Sequence, residues 1–263
     1  MEQRNKILKG LKSLVLPNDE EYRVFNANVI WGREGAKKRL NKILGIRIPA
    51  LRKYAKQIAK EKGEELIEIY RTISPNELYH EEKLLLGFVI GEIKTTFSKR
   101  LDYYKFLIPY IDNWAVCDCC VSTTKWFKKL DNTEIKKLYV FLQHYLLKGQ
   151  EYDCRFAIIM YMVNFLTADY INMVLNSCKS GVKTFADKNI ETPFYVEMGV
   201  AWCFTTALAK FPEKTLTFLR KEKRIGNSPI TIRIFKITAQ KARDSFRVSQ
   251  EVKKEITELA TFS

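Results

Sequence analysis

Residues 49–63 read "PALRKYAKQIAKEKG", and their reading decides the fold. Pro49 stands where a helix needs no backbone N–H, in its first turn. Leu51, Tyr54, Ala55 and Ile58 then recur at a spacing that gathers them on one face, and Gly63 closes the run. The same grammar repeats on either side. "SPNELYHEEKLLLGFVIGEI" (residues 74–93) opens on Ser74 as N-cap with Pro75 behind it, and "DNTEIKKLYVFLQHYLLKG" (131–149) opens on a cluster of capping side chains and ends on Gly149. Further apolar runs of 12–20 residues begin at Glu151, Thr167, Thr192 and Pro212, joined by short polar segments. No period-two alternation of useful length and no Asn-Gly turn argues for strands.

The sequence therefore predicts an all-α chain of about a dozen helices. Successive antiparallel pairs of about 35–45 residues read as a HEAT-like helical-repeat solenoid. With no long linker, residues 1–263 are expected to form one curved domain with a concave basic face.

The 263 residues include 46% hydrophobic and 29% charged side chains, which excludes a disordered chain. No run approaches the roughly 18 uncharged apolar residues of a membrane span. "MEQRNKILKG" lacks the apolar stretch of a secretory signal, so a cytoplasmic protein with no membrane partner is expected.

The formal net charge is +15, and its distribution is uneven. Residues 1–60 hold 15 basic and 5 acidic side chains, residues 220–254 hold 11 and 3, and residues 61–219 hold 19 and 20. A near-neutral middle between two basic ends suits a long polyanion held at both, though an anionic membrane surface or simple solubility would also use such charge. In the C-terminal run "TIRIFKITAQKARDSFRVS" (231–249) the candidates for phosphate contact are Arg233, Lys236, Lys241, Arg243 and Arg247. Near the N-terminus they are Arg47 and Arg52.

Residues 109–120, "PYIDNWAVCDCC", set Trp114 and Asp118 one helical turn apart. Cys117 and Cys120 make a C-x-x-C, but zinc usually takes four ligands and the chain has two histidines, His80 and His144. The six cysteines are read as small hydrophobes in tight helix packing, and no metal or cofactor is expected. Arg155 interrupts an apolar helix, and Trp202 lies seven residues after Tyr195 on one helix face. Each has a plainer reading: tryptophans at helical spacing in the core, Asp118 satisfied by a backbone amide or Lys125, Arg155 solvated, and the C-terminal run an exposed basic face.

Together these stretches resemble the AlkD-like DNA alkylation repair family. The likeness is carried by "EEYRVF" (20–25), "LGIRIPALRKYAKQIAK" (44–60), "YIDNWAVCD" (110–118), "YDCRFAIIMYM" (152–162), "FYVEMGVAW" (194–202), "FPEKTLTFL" (211–219) and "QKARDSFRVS" (240–249). The resemblance implies a HEAT-like DNA glycosylase that excises cationic alkylated purines, N3-alkyladenine and N7-alkylguanine, from duplex DNA, as a monomer. It implies catalytic roles for Asp118, Trp114 and Trp202, and a phosphate contact from Arg155. It also implies an aromatic residue at the position of Ala36. The alternative kept open by that departure is a HEAT-repeat DNA-binding protein without excision.

Overall fold

The computed structural model describes residues 2–261, which are helical with no strand. Two compact units divide the chain, Met1–Ile135 and Lys136–Ser263. No helix among the described residues is long and apolar enough to cross a membrane.

The first unit contains α1 (Glu2–Lys12), α2 (Glu20–Arg39), α3 (Ile48–Arg71), α4 (His80–Glu92), α5 (Phe97–Leu107) and α6 (Trp114–Val121). Its hub is α4, which packs on α3, α5 and α6 and is buried on every side from His80 to Gly91. A helix buried all round must satisfy its polar groups internally, and the "HEEK" first turn does so residue by residue. Glu81 accepts the backbone N–H groups of Leu44 (2.9 Å), Gly45 (2.8 Å) and Ile46 (3.3 Å), pinning the entry to α3. Burial raises the Glu81 carboxyl, opposed by those same amides. Glu82 takes a two-pronged contact from Arg4 at 3.0 and 2.9 Å, and Lys83 pairs with Asp112 at 2.7 Å.

Small residues let α6 approach this hub. A Cβ at Gly87 would collide with Cys120 Sγ, and one at Gly91 with Thr123 Oγ1. The cysteine of the C-x-x-C thus fills a notch that only glycine leaves open, and overpacking it would cost about 1–3 kcal/mol. At the other end of α4 the buried Arg100 donates to the carbonyls of Ile90 and Ile93, closing the helix where its last acceptors would be orphaned.

The helix expected to stop near Gly63 bends instead. Lys62 leaves helical geometry (φ −155°, ψ 37°) and the chain resumes as the second part of α3. The helix expected from Ser74 begins later, because Pro75–Glu77 form a separate short turn and α4 starts at His80.

α7 (Asn132–Leu146) spans the boundary between the units. The second unit continues with α8 (Glu151–Asn164), α9 (Ile171–Ala186), α10 (Phe194–Lys210), α11 (Pro212–Arg224), α12 (Ile232–Asp244) and α13 (Gln250–Leu259). α8, α10 and α12 lie side by side in one layer; α9, α11 and α13 form the other, each packed on the helix before it. Three helix pairs in two layers share one core, with α10 at its centre.

Candidate functional site

In the first unit Asn113 caps α6: its Oδ1 accepts Val116 N–H at 3.0 Å, and its Nδ2 donates to Asp112 at 2.8 Å. From that capped start Trp114 and Asp118 follow one turn apart, both half-buried, so indole and carboxylate share a face that meets solvent. At the other end of α6, Arg52 Nη2 reaches Ser122 Oγ at 2.5 Å and its guanidinium lies 4.2 Å over the Phe88 ring. Arg52 is thus held at the end of the same short helix as Asp118. Arg47 is differently committed: it forks onto Asp19 (3.1 and 2.9 Å) and stacks 3.5 Å over Tyr22.

Under the α6 cap, His80 Nδ1 lies 3.4 Å from Asn113 Nδ2. The edge-on indole of Trp31 lies 5.8 Å from the His80 ring. Burial lowers the His80 pKa to about 4, against a rise from Asp112, with Lys83 lowering it further. Above pH 6.5 the imidazole is neutral in both folded and unfolded chains. As pH falls from 6.5 to 4 the unfolded chain takes a proton that the folded one refuses, so about 3 kcal/mol of stability is lost across that window. Urea unfolding at pH 7 and pH 4.5 should show this loss, and His80→Gln should shrink the difference between the two pH values.

Trp31 is an aromatic that sequence reasoning missed. It sits at a break in α2, where Gly32 adopts φ 69° and ψ 169°, a conformation open to glycine. Trp31 and Ala115 pack against a buried cluster of Ala27, Ile30, Ala36 and Ile43. Ala36 is 5% exposed, so its methyl group is part of that core, and Trp31 is an aromatic packed against the same cluster. The signal was the "WGREG" run, whose two glycines mark a helix that cannot stay straight.

The C-x-x-C makes no reactive pair. Cys117 and Cys120 are buried, and burial drives the Cys120 thiol far up, so Cys120 stays protonated at neutral pH; the neighbouring Cys119 thiol is raised in the same way. Among the described residues no group of three or more His, Cys, Asp or Glu side chains is placed to hold a metal.

In the second unit Arg155, which one reading left solvated, is buried (5% exposed). Its Nη1 donates to Tyr195 O at 2.5 Å, and the guanidinium fits the notch at Gly199. Tyr195, Gly199 and Trp202 are spaced at four and three residues along α10, so they share one face. Trp202 is 38% exposed and lines a cavity of about 760 Å³ with Thr206, Lys210, Lys241, Phe246 and Arg247.

The basic residues divide by what surrounds them. Arg233 is paired with Glu197 (2.9 Å) and Glu191 (3.1 Å), so its charge is offset locally. Lys236, Arg243 and Arg247 are exposed, and Lys241 is half-buried at the cavity wall. Arg243 reaches Gln240 at 2.5 Å, a neutral partner that leaves its charge uncancelled.

No curated protein and no solved structure matches the chain. A family model does, over residues 34–234, a stretch that includes Trp114 and Asp118 on α6, Arg155 on α8 and Trp202 on α10. That model is described as DNA alkylation repair enzyme, and since it covers most of the chain, the protein belongs to this family.

Proposed function

We propose that the chain is an N-glycosylase that removes cationic alkylated purines, N3-alkyladenine and N7-alkylguanine, from duplex DNA. The observation that carries this reading is the pairing of Trp114 and Asp118 on one half-buried face of α6 in a member of the DNA alkylation repair enzyme family. N-alkylation gives the purine a formal positive charge, so cleavage of the bond from C1′ to the base nitrogen releases a neutral base. The electron pair leaves with the base, the sugar becomes oxocarbenium-like, and a water adds to C1′ with loss of a proton. Asp118, ionised, supplies negative charge where the sugar becomes positive. The indole faces of Trp114 and Trp202 favour the cationic base, by about 0.5–2 kcal/mol each.

Arg155 would hold a phosphate beside the lesion, and Arg52, Lys236, Lys241, Arg243 and Arg247 the flanking backbone. Arg47 and Arg233 belong to the same set, weakened by their acidic neighbours. The reading takes the helix pairs as HEAT-like repeats presenting a basic face to DNA, in a cytoplasmic monomer that needs neither metal nor cofactor. A second reading, a DNA-binding repeat protein without excision, is favoured by Ala36, which is core where the resemblance implies an aromatic wall.

Duplexes containing N7-methylguanine or N3-methyladenine distinguish the two. Free base released by the purified protein, scored by chromatography, is the expected result. Release of neither base, with DNA still bound, would leave the second reading.

A further inference from the structure

Phe246 is 90% exposed, more than any other large hydrophobic side chain among the described residues. It lies in the short turn between α12 and α13, which is held at both ends. Ser245 N–H bonds to Ala242 O at 3.1 Å, Arg247 N–H to Ser245 Oγ at 3.2 Å, and Ser249 caps α13 through Val252 N–H at 3.4 Å. Val248, two residues on, is buried and anchors the turn, so Phe246 is fixed outward rather than waiting to fold in.

The ring does not stand alone. The Arg247 guanidinium lies 5.4 Å from its centroid, and both side chains line the cavity that Trp202 enters from α10. Lys210 and Lys241 add positive charge there. Asp244 is the one acid in the lining, and it accepts from Gln240 Nε2 at 3.1 Å. Two aromatic rings and three cations around about 760 Å³ suit a ligand with a flat apolar body and an anionic strand. A nucleotide in a DNA chain has both. The turn also lies past residue 234, where the family match ends, so family membership assigns it no role.

We propose that this cavity is a nucleotide subsite in which Phe246 stacks on a DNA base that has lost its partner, while Lys210, Lys241 and Arg247 hold the adjoining phosphates. In an intact duplex both faces of each base are covered by its neighbours. A protein ring reaches a base face where a nucleotide is unpaired or displaced. The subsite therefore selects distorted over intact DNA. It rests on the reading that DNA is the partner, and it is independent of excision.

The test uses the full chain and two duplexes, one with 2-aminopurine opposite a tetrahydrofuran abasic analogue and one with 2-aminopurine paired to thymine. Anisotropy should show the unpaired probe bound about 10-fold more tightly, with 2-aminopurine fluorescence quenched on binding. Phe246→Ala should collapse both the preference and the quenching, and Phe246→Trp should restore them. Because the side chain is exposed, the alanine variant should melt as the wild type does. A Phe246→Ala protein that keeps the preference and the quenching overturns the subsite and leaves DNA binding intact. Failure of the wild type to bind either duplex overturns the DNA reading itself. Binding of a polyglutamate peptide that Phe246→Ala abolishes, without any preference between the duplexes, would give the surface to an acidic protein and overturn the proposal.

Discussion

Asp118→Asn should lower the single-turnover excision rate of N7-methylguanine by about 10²–10³-fold, the scale for losing one preorganised electrostatic partner. The reasoning is differential. In the ground state the positive charge is spread over the alkylated purine, and as the glycosidic bond breaks it moves onto the sugar, closer to a carboxylate beside C1′. Its interaction therefore grows along the reaction coordinate and appears in the rate. Asparagine keeps the shape and much of the hydrogen bonding but removes the charge. The fold of α6 should persist, because its N-cap comes from Asn113 and its C-terminal bond from Ser122 N–H to the backbone oxygen of Asp118, at 3.2 Å. DNA affinity should hold or rise slightly, since a repulsion with phosphates is relieved. A structural carboxylate would behave differently: melting temperature, affinity and excision would fall together. A folded variant that excises at the wild-type rate would remove Asp118 from the chemistry.

The helices were legible where local signals agreed. Asp131 and Glu134 cap α7 reciprocally (2.8 and 3.2 Å), Gly149 takes the left-handed turn after it (φ 73°), and Pro212 heads α11, as the spacing predicts. Sequence erred where tertiary packing overrode a stop signal. Gly63 reads as a helix end, yet it lies inside a helix with Ile93 against it, and Gly181 likewise sits within α9 with Leu146 and Cys154 against it. A glycine that ends a helix and one that admits a neighbour look alike in sequence. The "HEEK" turn was opaque for a related reason. Four polar residues suggest a solvated helix start, and only partners distant in sequence make them the buried hub of the first unit.

Within the candidate site, spacing alone put Trp114 with Asp118, and Tyr195 with Trp202, because each pair lies within one helix. The surroundings of Arg155 depend on a contact between α8 and α10, which no local pattern encodes. Phe246 escaped for the opposite reason. A phenylalanine two residues before a buried valine reads as core, and its exposure is a property of the turn that holds it.

Charge carries the last expectation. Each phosphate neutralised on duplex DNA releases condensed counterions, so log affinity should fall with log salt by about 0.9 per contact. If Lys236, Lys241, Arg243 and Arg247 each make one contact, the slope is about −3.6, and raising salt from about 50 to about 200 mM should weaken binding by roughly 10²-fold. Reversing all four to Glu should remove most of that slope and weaken binding to every sequence alike, because phosphate contacts carry no sequence information. Arg47→Gln and Arg233→Gln should differ. Asp19 already offsets the first and Glu191 and Glu197 the second, so these changes should alter the slope by much less than one contact each. Anisotropy titrations across a salt series measure all of these slopes. An affinity that stays flat from about 50 to about 200 mM salt would mean that the basic C-terminal helix does not bind a polyanion. The +15 charge would then need another explanation.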